Sequence, residues 1–65
     1  MVNEIVWQTK VAGFPIRLGK HKRRKDTYSV QYGKQIVKDV SLTEAAKEIG
    51  YCIMHALQCE GKLDD

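Results

Sequence analysis

The sequence lacks any long apolar run, and it contains only one proline. The first absence argues against a membrane-spanning protein and the second against a disordered one. No stretch approaches the roughly 18 consecutive apolar residues of a membrane-spanning helix. The first ten residues, MVNEIVWQTK, lack the basic start and apolar core of a targeting leader. At 43% hydrophobic residues the composition is not that of a disordered chain. We therefore expect a cytoplasmic protein with no membrane contact, and 65 residues leave room for a single small domain.

Cysteine is also scarce, with only Cys52 and Cys59 in the chain. The two lie seven positions apart in a segment that reads as helical, so their separation of about 10 Å is too long for a disulfide. Cys52, His55 and Cys59 share helical spacing, but one straight helix rarely closes a tetrahedral zinc shell. A fourth ligand would have to come from His21 or a second subunit. The sequence therefore predicts no metal and no cofactor, with both thiols acting as small buried hydrophobes.

The features of a catalytic site are missing as well. No two carboxylates are placed for general acid and base work. A pair of either cysteine with His55 has no third orienting group and no glycine-rich oxyanion loop. We therefore predict that the protein is not an enzyme.

What the sequence does have is a strongly polarised charge distribution behind a formal net charge of +3. Residues 10–38 hold nine lysines and arginines against one acid, Asp26, whereas residues 39–65 hold six acids and two lysines. Such asymmetry predicts one side that faces a polyanion and another that faces water or protein.

The densest basic segment is GKHKRRKD, residues 19–26, which carries five lysines and arginines and one histidine in eight positions. Adjacent cations cannot all pack on a core, so the segment is expected to be an exposed loop or the exposed ends of two strands. We predict that the loop contacts phosphates, with other cations extending the patch if they project from the same sheet edge. The predicted nucleic-acid-binding residues are Arg17, Lys20, Lys22, Arg23, Arg24, Lys25, Lys34 and Lys38. The alternatives are an acidic protein partner, or a loop that only keeps the chain soluble.

The local patterns predict an α+β fold, with a small antiparallel sheet of two or three strands followed by one amphipathic helix packed on one face. The strands are expected near residues 4–10, 14–18, 27–32 and 35–40, the helix near 42–59 and a frayed tail at 62–65. Alternation in TYSVQY places Tyr28 and Tyr32 on the face that a helix would cover. The same rule predicts Ile5 and Trp7 on one face of the first strand.

The helix has clear start and stop signals. Ser41 and Glu44 match a capping box, and Gly61 suits the C-terminal end. A spacing of 100° per residue places one apolar stripe toward the sheet, namely Leu42, Ala45, Ala46, Ile49, Ile53, Ala56 and Leu57. With this continuous helix, Gly50 would mark a close approach to the sheet.

The helical segment has a second interpretation, because TEAAKEIGY resembles the first helix and turn of a helix-turn-helix motif. The resemblance rests on Ala46 and, four positions later, Gly50. It implies that residues 52–59 form a recognition helix in the major groove.

Two functions from different classes remain open at this point. The first is a small nucleic-acid-binding accessory or regulatory protein, expected to be a dimer. The second is a protein-interaction module, such as a phage- or plasmid-type inhibitor or adaptor. It would bind a second copy or a larger protein through Tyr51, Met54 and His55, which lie outside the apolar stripe.

Overall fold

The computed structural model describes residues 3–62, where four strands and one helix follow one another along the chain. The elements are β1 (Asn3–Val11), β2 (Phe14–His21), β3 (Tyr28–Tyr32), β4 (Gln35–Val40) and α1 (Leu42–Cys59). The strands pair antiparallel in chain order, and α1 packs on one face of the sheet. This confirms the predicted α+β class, with four strands in place of two or three. Residues 63–65, most of the expected tail, lie outside the described residues.

Two tight connections set the register of the sheet. Ala12 and Gly13 join β1 to β2 with φ angles of 52° and 83°, the left-handed backbone of a type I′ hairpin turn. Glycine tolerates this conformation without steric cost. Gly33 and Lys34 join β3 to β4, as expected from the sequence.

The pairing contains two bulges, and the first changes which face a side chain occupies. β1 has one extra residue between Ile5 and Trp7, and β4 has one before Val40, where Asp39 adopts a φ of 60°. An extra residue interrupts the alternation of faces. Ile5 therefore pairs with Gly19 on the face away from α1, while Trp7 pairs with Leu18 on the helix side. The prediction that Ile5 and Trp7 share a face is wrong for this reason.

The core lies between α1 and the two central strands. Its buried members are Ile16, Val30, Ala45 and Cys52. Packed around them are Val11, Leu18, Tyr28, Tyr32, Val40, Ile49 and Ile53. The two tyrosines thus take the predicted core positions. Trp7 and Phe14 stay partly exposed, at 43% and 38%. Trp7 lies on the edge strand β1, which α1 covers less than β2 and β3, and Phe14 is the first residue of β2.

The helix α1 is continuous, so the helix-turn-helix interpretation is wrong. The apolar stripe runs unbroken past Gly50, and one glycine inside a helix costs only about 1 kcal/mol. A Cβ at Gly50 would meet nothing within 4 Å, which contradicts the expected close approach to the sheet.

The buried stripe of α1 is also shifted from the predicted one. Cys52 lies two turns after Ala45 and is buried on the same face, whereas Leu42 and Ala46 are exposed. No helix among the described residues has the length and apolar character needed to cross a membrane.

Both ends of α1 are capped as the sequence predicts. The Ser41 hydroxyl accepts a hydrogen bond from the Glu44 N–H at 3.2 Å. At the other end Gly61 has a φ of 81°. Its N–H donates to the Gln58 carbonyl, and the Lys62 N–H donates to the Leu57 carbonyl. These two bonds form a Schellman motif.

Candidate nucleic-acid interface

The basic loop, residues 22–27, connects β2 to β3 and is closed by hydrogen bonds at its base. The His21 N–H donates to the Thr27 carbonyl at 2.8 Å. The Thr27 hydroxyl donates to the Lys25 carbonyl at 2.9 Å. The loop is therefore a folded connection between two paired strands.

The histidine of the segment organises the loop from inside. Its ring nitrogen Nδ1 accepts hydrogen bonds from the backbone N–H groups of Arg23 and Arg24, at 3.1 and 3.0 Å. Both bonds use Nδ1 as their acceptor, so this one ring nitrogen fixes two consecutive N–H groups of the loop. The N–H groups of Arg23 and Arg24 therefore point toward the His21 ring.

The one acid in the basic run is engaged elsewhere. The Asp26 carboxylate accepts a hydrogen bond from the Leu42 N–H at 2.9 Å, at the N-terminus of α1. A carboxylate is stabilised there by the helix dipole. The side chains of residues 22–25 are all exposed, and within residues 3–62 none of them forms an ion pair with a carboxylate. Four cations thus remain available to an outside anion.

The structure places the other predicted cations at different distances from this loop. Arg17 and Lys38 lie on the open face, defined here as the sheet face away from α1. Lys20 pairs with Tyr28 beside the loop, and alternation along β2 places its side chain on the helix side. Lys34 lies in the turn after β3. The five residues of this strand, about 16 Å in length, separate it from the loop. Lys20 and Lys38 are therefore near the loop, whereas Arg17 and Lys34 each lie about the length of one strand away from it.

The open face carries a row of polar side chains that the sequence analysis did not identify. Arg17 is directly opposite Gln8 of β1 and directly opposite Gln31 of β3. Within this polar row the Arg17 Nε donates to the Gln8 Oε1 at 3.3 Å. The only sequence signal was the alternation in TYSVQY, which placed Gln31 on the face opposite the core.

Beside the polar row lies a shallow groove. Its floor is formed by Gly19 and Ser29, both buried, which are paired on adjacent strands. A Cβ at Gly19 would lie 2.5 Å from the Ser29 Oγ, so a larger residue there would force the serine hydroxyl to move. The groove is lined by Asn3, Ile5, Arg17, Gly19, Ser29, Gln31, Ile36 and Lys38. No carboxylate is among these lining residues of the described chain.

The predicted partner interface lies on the other side of the molecule. Tyr51 is 76% exposed and Met54 is 56% exposed. His55 is exposed too, and its Nδ1 lies 3.0 Å from the Tyr32 hydroxyl. These three side chains form the helix patch of α1, the surface that the sequence analysis assigned to a protein partner.

The two thiols of α1 differ from the expectation that both are buried. Cys52 is buried, but Cys59 is exposed because it lies in the last turn, with its Sγ 3.8 Å from the His55 Nδ1. Burial raises the pKa of the Cys52 thiol, and the nearby Glu48 carboxylate raises it further. Burial also raises the pKa of Tyr32, with smaller effects from the two thiols. Residues 3–62 contain no group of three His, Cys, Asp or Glu side chains placed to hold a metal ion.

Comparison with known proteins finds no matching family model, no matching curated protein and no matching solved structure.

Proposed function

We propose that this protein is a small, non-enzymatic nucleic-acid-binding accessory or regulatory protein that contacts phosphates through the basic loop. The observation that carries the proposal is the shape of that loop. His21 holds its backbone, and the neighbouring acid, Asp26, is bound to the helix. Two free thiols fit a reducing compartment, so the proposed location is the cytoplasm.

The size of the electrostatic effect follows from the number of phosphate contacts. Each cation that neutralises a phosphate of duplex DNA contributes about −0.9 to the slope of log affinity against log salt concentration. Four contacts from residues 22–25 give a slope of about −3.6. Arg17 and Lys38, on the neighbouring open face, would steepen the slope to about −5.

The proposal is tested by removing two loop cations and measuring duplex affinity at several salt concentrations. Arg23→Ala with Arg24→Ala should lower the magnitude of the slope by about 2, because two phosphate contacts are lost. The matched control is Lys34→Ala with Lys47→Ala, which removes the same charge from positions far from the loop. The control should keep the wild-type slope.

Either of two results would contradict the proposal. An unchanged slope in the loop variant would show that the loop makes no phosphate contacts. An equal loss in the control would show that net charge matters and that the loop is not the site.

The second candidate function is a protein-interaction module that uses the helix patch, and the exposure of Tyr51 and Met54 favours it. The partner is a second copy or a larger protein. Tyr51→Ala with Met54→Ala should then abolish dimer mass in light scattering, or co-purification with a partner, while circular dichroism stays unchanged. Leu42→Ala, at another exposed apolar position of α1, is the control. An unchanged mass and an unchanged set of co-purifying proteins would reject this candidate.

A further inference from the structure

The open face presents the polar row as three side chains standing side by side on three adjacent strands. We infer that this row, Gln8, Arg17 and Gln31, reads base edges in the major groove of duplex DNA. The inference rests on the proposed function, because phosphate contacts from the basic loop would hold the sheet on the duplex.

The chemistry of the row matches the edges of base pairs. An arginine fork donates two hydrogen bonds to O6 and N7 of guanine, and a glutamine amide pairs with N6 and N7 of adenine. Arg17 is the central member, with one glutamine directly opposite it on each side. Such a row can contact neighbouring bases.

Two apolar side chains extend the same surface. Ile5 is 56% exposed and Ile36 is 51% exposed, and both line the groove beside the polar row. Apolar contact with the methyl group of thymine is a usual form of base reading. Exposed isoleucines on a sheet face that α1 does not cover fit this role.

The floor of the groove differs in exposure from the side chains beside it. Gly19 and Ser29 are small and buried, whereas Arg17 and Lys38 beside them are exposed. Lys38, also in the groove lining, adds a cation, and none of the described residues that line the groove is a carboxylate, which would repel the DNA phosphates.

The dimensions fit B-form DNA. Strands lie about 4.8 Å apart, so the row spans about 10 Å across three strands, against a major groove about 12 Å wide. The basic loop begins five residues after Arg17, which is about 17 Å along β2 and far enough to meet the phosphates at the groove's edge. The major groove of RNA duplexes is too narrow and deep for side chains to read. The structure therefore favours DNA.

The test is selection of bound sequences from a library of random DNA duplexes, with wild-type protein and with Arg17→Lys. This substitution keeps the positive charge and removes the two-pronged donor. The wild type should enrich a motif containing guanine. Arg17→Lys should lose its preference at that guanine by about tenfold, with affinity for random duplex within about twofold of wild type.

Control variants separate base recognition by the polar row from phosphate contacts by the basic loop. Arg23→Ala should weaken binding to every duplex and leave the enriched motif unchanged. Gln31→Ala should relax the preference at a base next to the guanine, which gives a second measurement if Arg17→Lys misfolds. An RNA duplex of the enriched sequence should bind more weakly than the DNA.

The outcomes distinguish the inference from the proposal on which it rests. Duplex binding without any enriched motif, or a motif that survives both Arg17→Lys and Gln31→Ala, overturns the reading role alone. Equal binding of RNA and DNA duplexes overturns it as well. Failure to bind any duplex overturns both the reading role and the proposed function.

Discussion

Gly19 shows how one residue controls the surface that a sheet offers. It lies opposite Ser29 on β3 and opposite Ile5 on β1, where any side chain would meet the serine hydroxyl. The polar row lies beside this position, with Arg17 bonded to Gln8 and the Gln31 amide donating to the Gly33 carbonyl at 3.4 Å. The identity of one small residue thus affects both strand packing and the shape of the open face.

Gly19→Ala should destabilise the protein by about 1–3 kcal/mol, because the added methyl group overlaps the Ser29 Oγ. In a Ser29→Ala background the same substitution should cost little or stabilise the fold, since alanine loses less backbone entropy than glycine. Urea unfolding of the wild type, the two single variants and the double variant measures the free-energy cost of Gly19→Ala in both backgrounds. An equal cost in the two backgrounds would show that the hydroxyl is not what excludes alanine.

Single residues were predicted unevenly from the sequence. The roles of Tyr28 and Tyr32 followed from alternation along one strand, a local property. The exposure of Trp7 did not, because it depends on where a distant helix crosses the sheet. The predicted burial of Cys52 is confirmed, whereas that of Cys59 is wrong, because Cys59 lies in the exposed last turn of the helix.

At the scale of elements, the basic loop depends on a residue that belongs to the strand before it. His21 is the last residue of β2 and accepts two backbone hydrogen bonds from the loop. Without this acceptor the loop would keep its cations and the bonds at its base, but the backbone at Arg23 and Arg24 would lose its hydrogen bonds.

His21→Leu should make the loop more accessible to trypsin, which cleaves after lysine and arginine. The substitution removes the acceptor for the N–H groups of Arg23 and Arg24, so cleavage after residues 22–25 should become several-fold faster. His21→Asn is the matched control, because its side-chain oxygen can accept in the place of Nδ1. Equal cleavage rates in wild type and His21→Leu would show that the ring does not order the loop.

The strands and the helix have local sequence signals and were predicted. The bulges depend on strand pairing and were not. The strands and the helix followed from periodicity, and the helix ends followed from Ser41 and Gly61. The bulge at Val6 arises from the register in which β1 pairs with β2, so the sequence of β1 alone does not predict it. That one extra residue moved Ile5 to the open face.

Over the whole molecule the charges are unevenly divided between the elements. Most cations belong to the strands and the basic loop, which also carry Glu4, Asp26 and Asp39, whereas Glu44, Glu48 and Glu60 lie with Lys47 on α1 or at its C-terminal end. The cations of the loop could be chosen from the sequence because they are consecutive. The polar row could not, because its members are distant in the chain and meet only through the register of three strands.

Stability of the whole fold should decline in alkali. The pKa of Cys52 is raised above its ordinary value of 9.0 by burial, so in alkali the unfolded chain loses this proton before the folded chain does. This contribution to stability is complete below pH 9 and is lost as pH rises through the folded pKa. Tyr32, whose pKa is raised from 10.0, adds a similar loss at higher pH.

Urea midpoints should be constant between pH 7 and 8 and should fall above pH 9. Cys52→Ala should lower stability at every pH and remove the part of the fall that begins near pH 9. Cys59→Ala, which changes the exposed thiol, should keep that part. A Cys52→Ala variant that declines as steeply as wild type would show that this thiol does not cause the loss.

The bond between Asp26 and the Leu42 N–H has a consequence for both faces of the molecule. This bond joins the loop to the first turn of α1. If that turn frayed, the Asp26 carboxylate would be free to pair with the neighbouring cations of the loop, with which it forms no ion pair in this structure. The positive charge available at the loop is therefore greatest while the helix start is intact, and unwinding there would weaken the attraction for anions with no change in sequence.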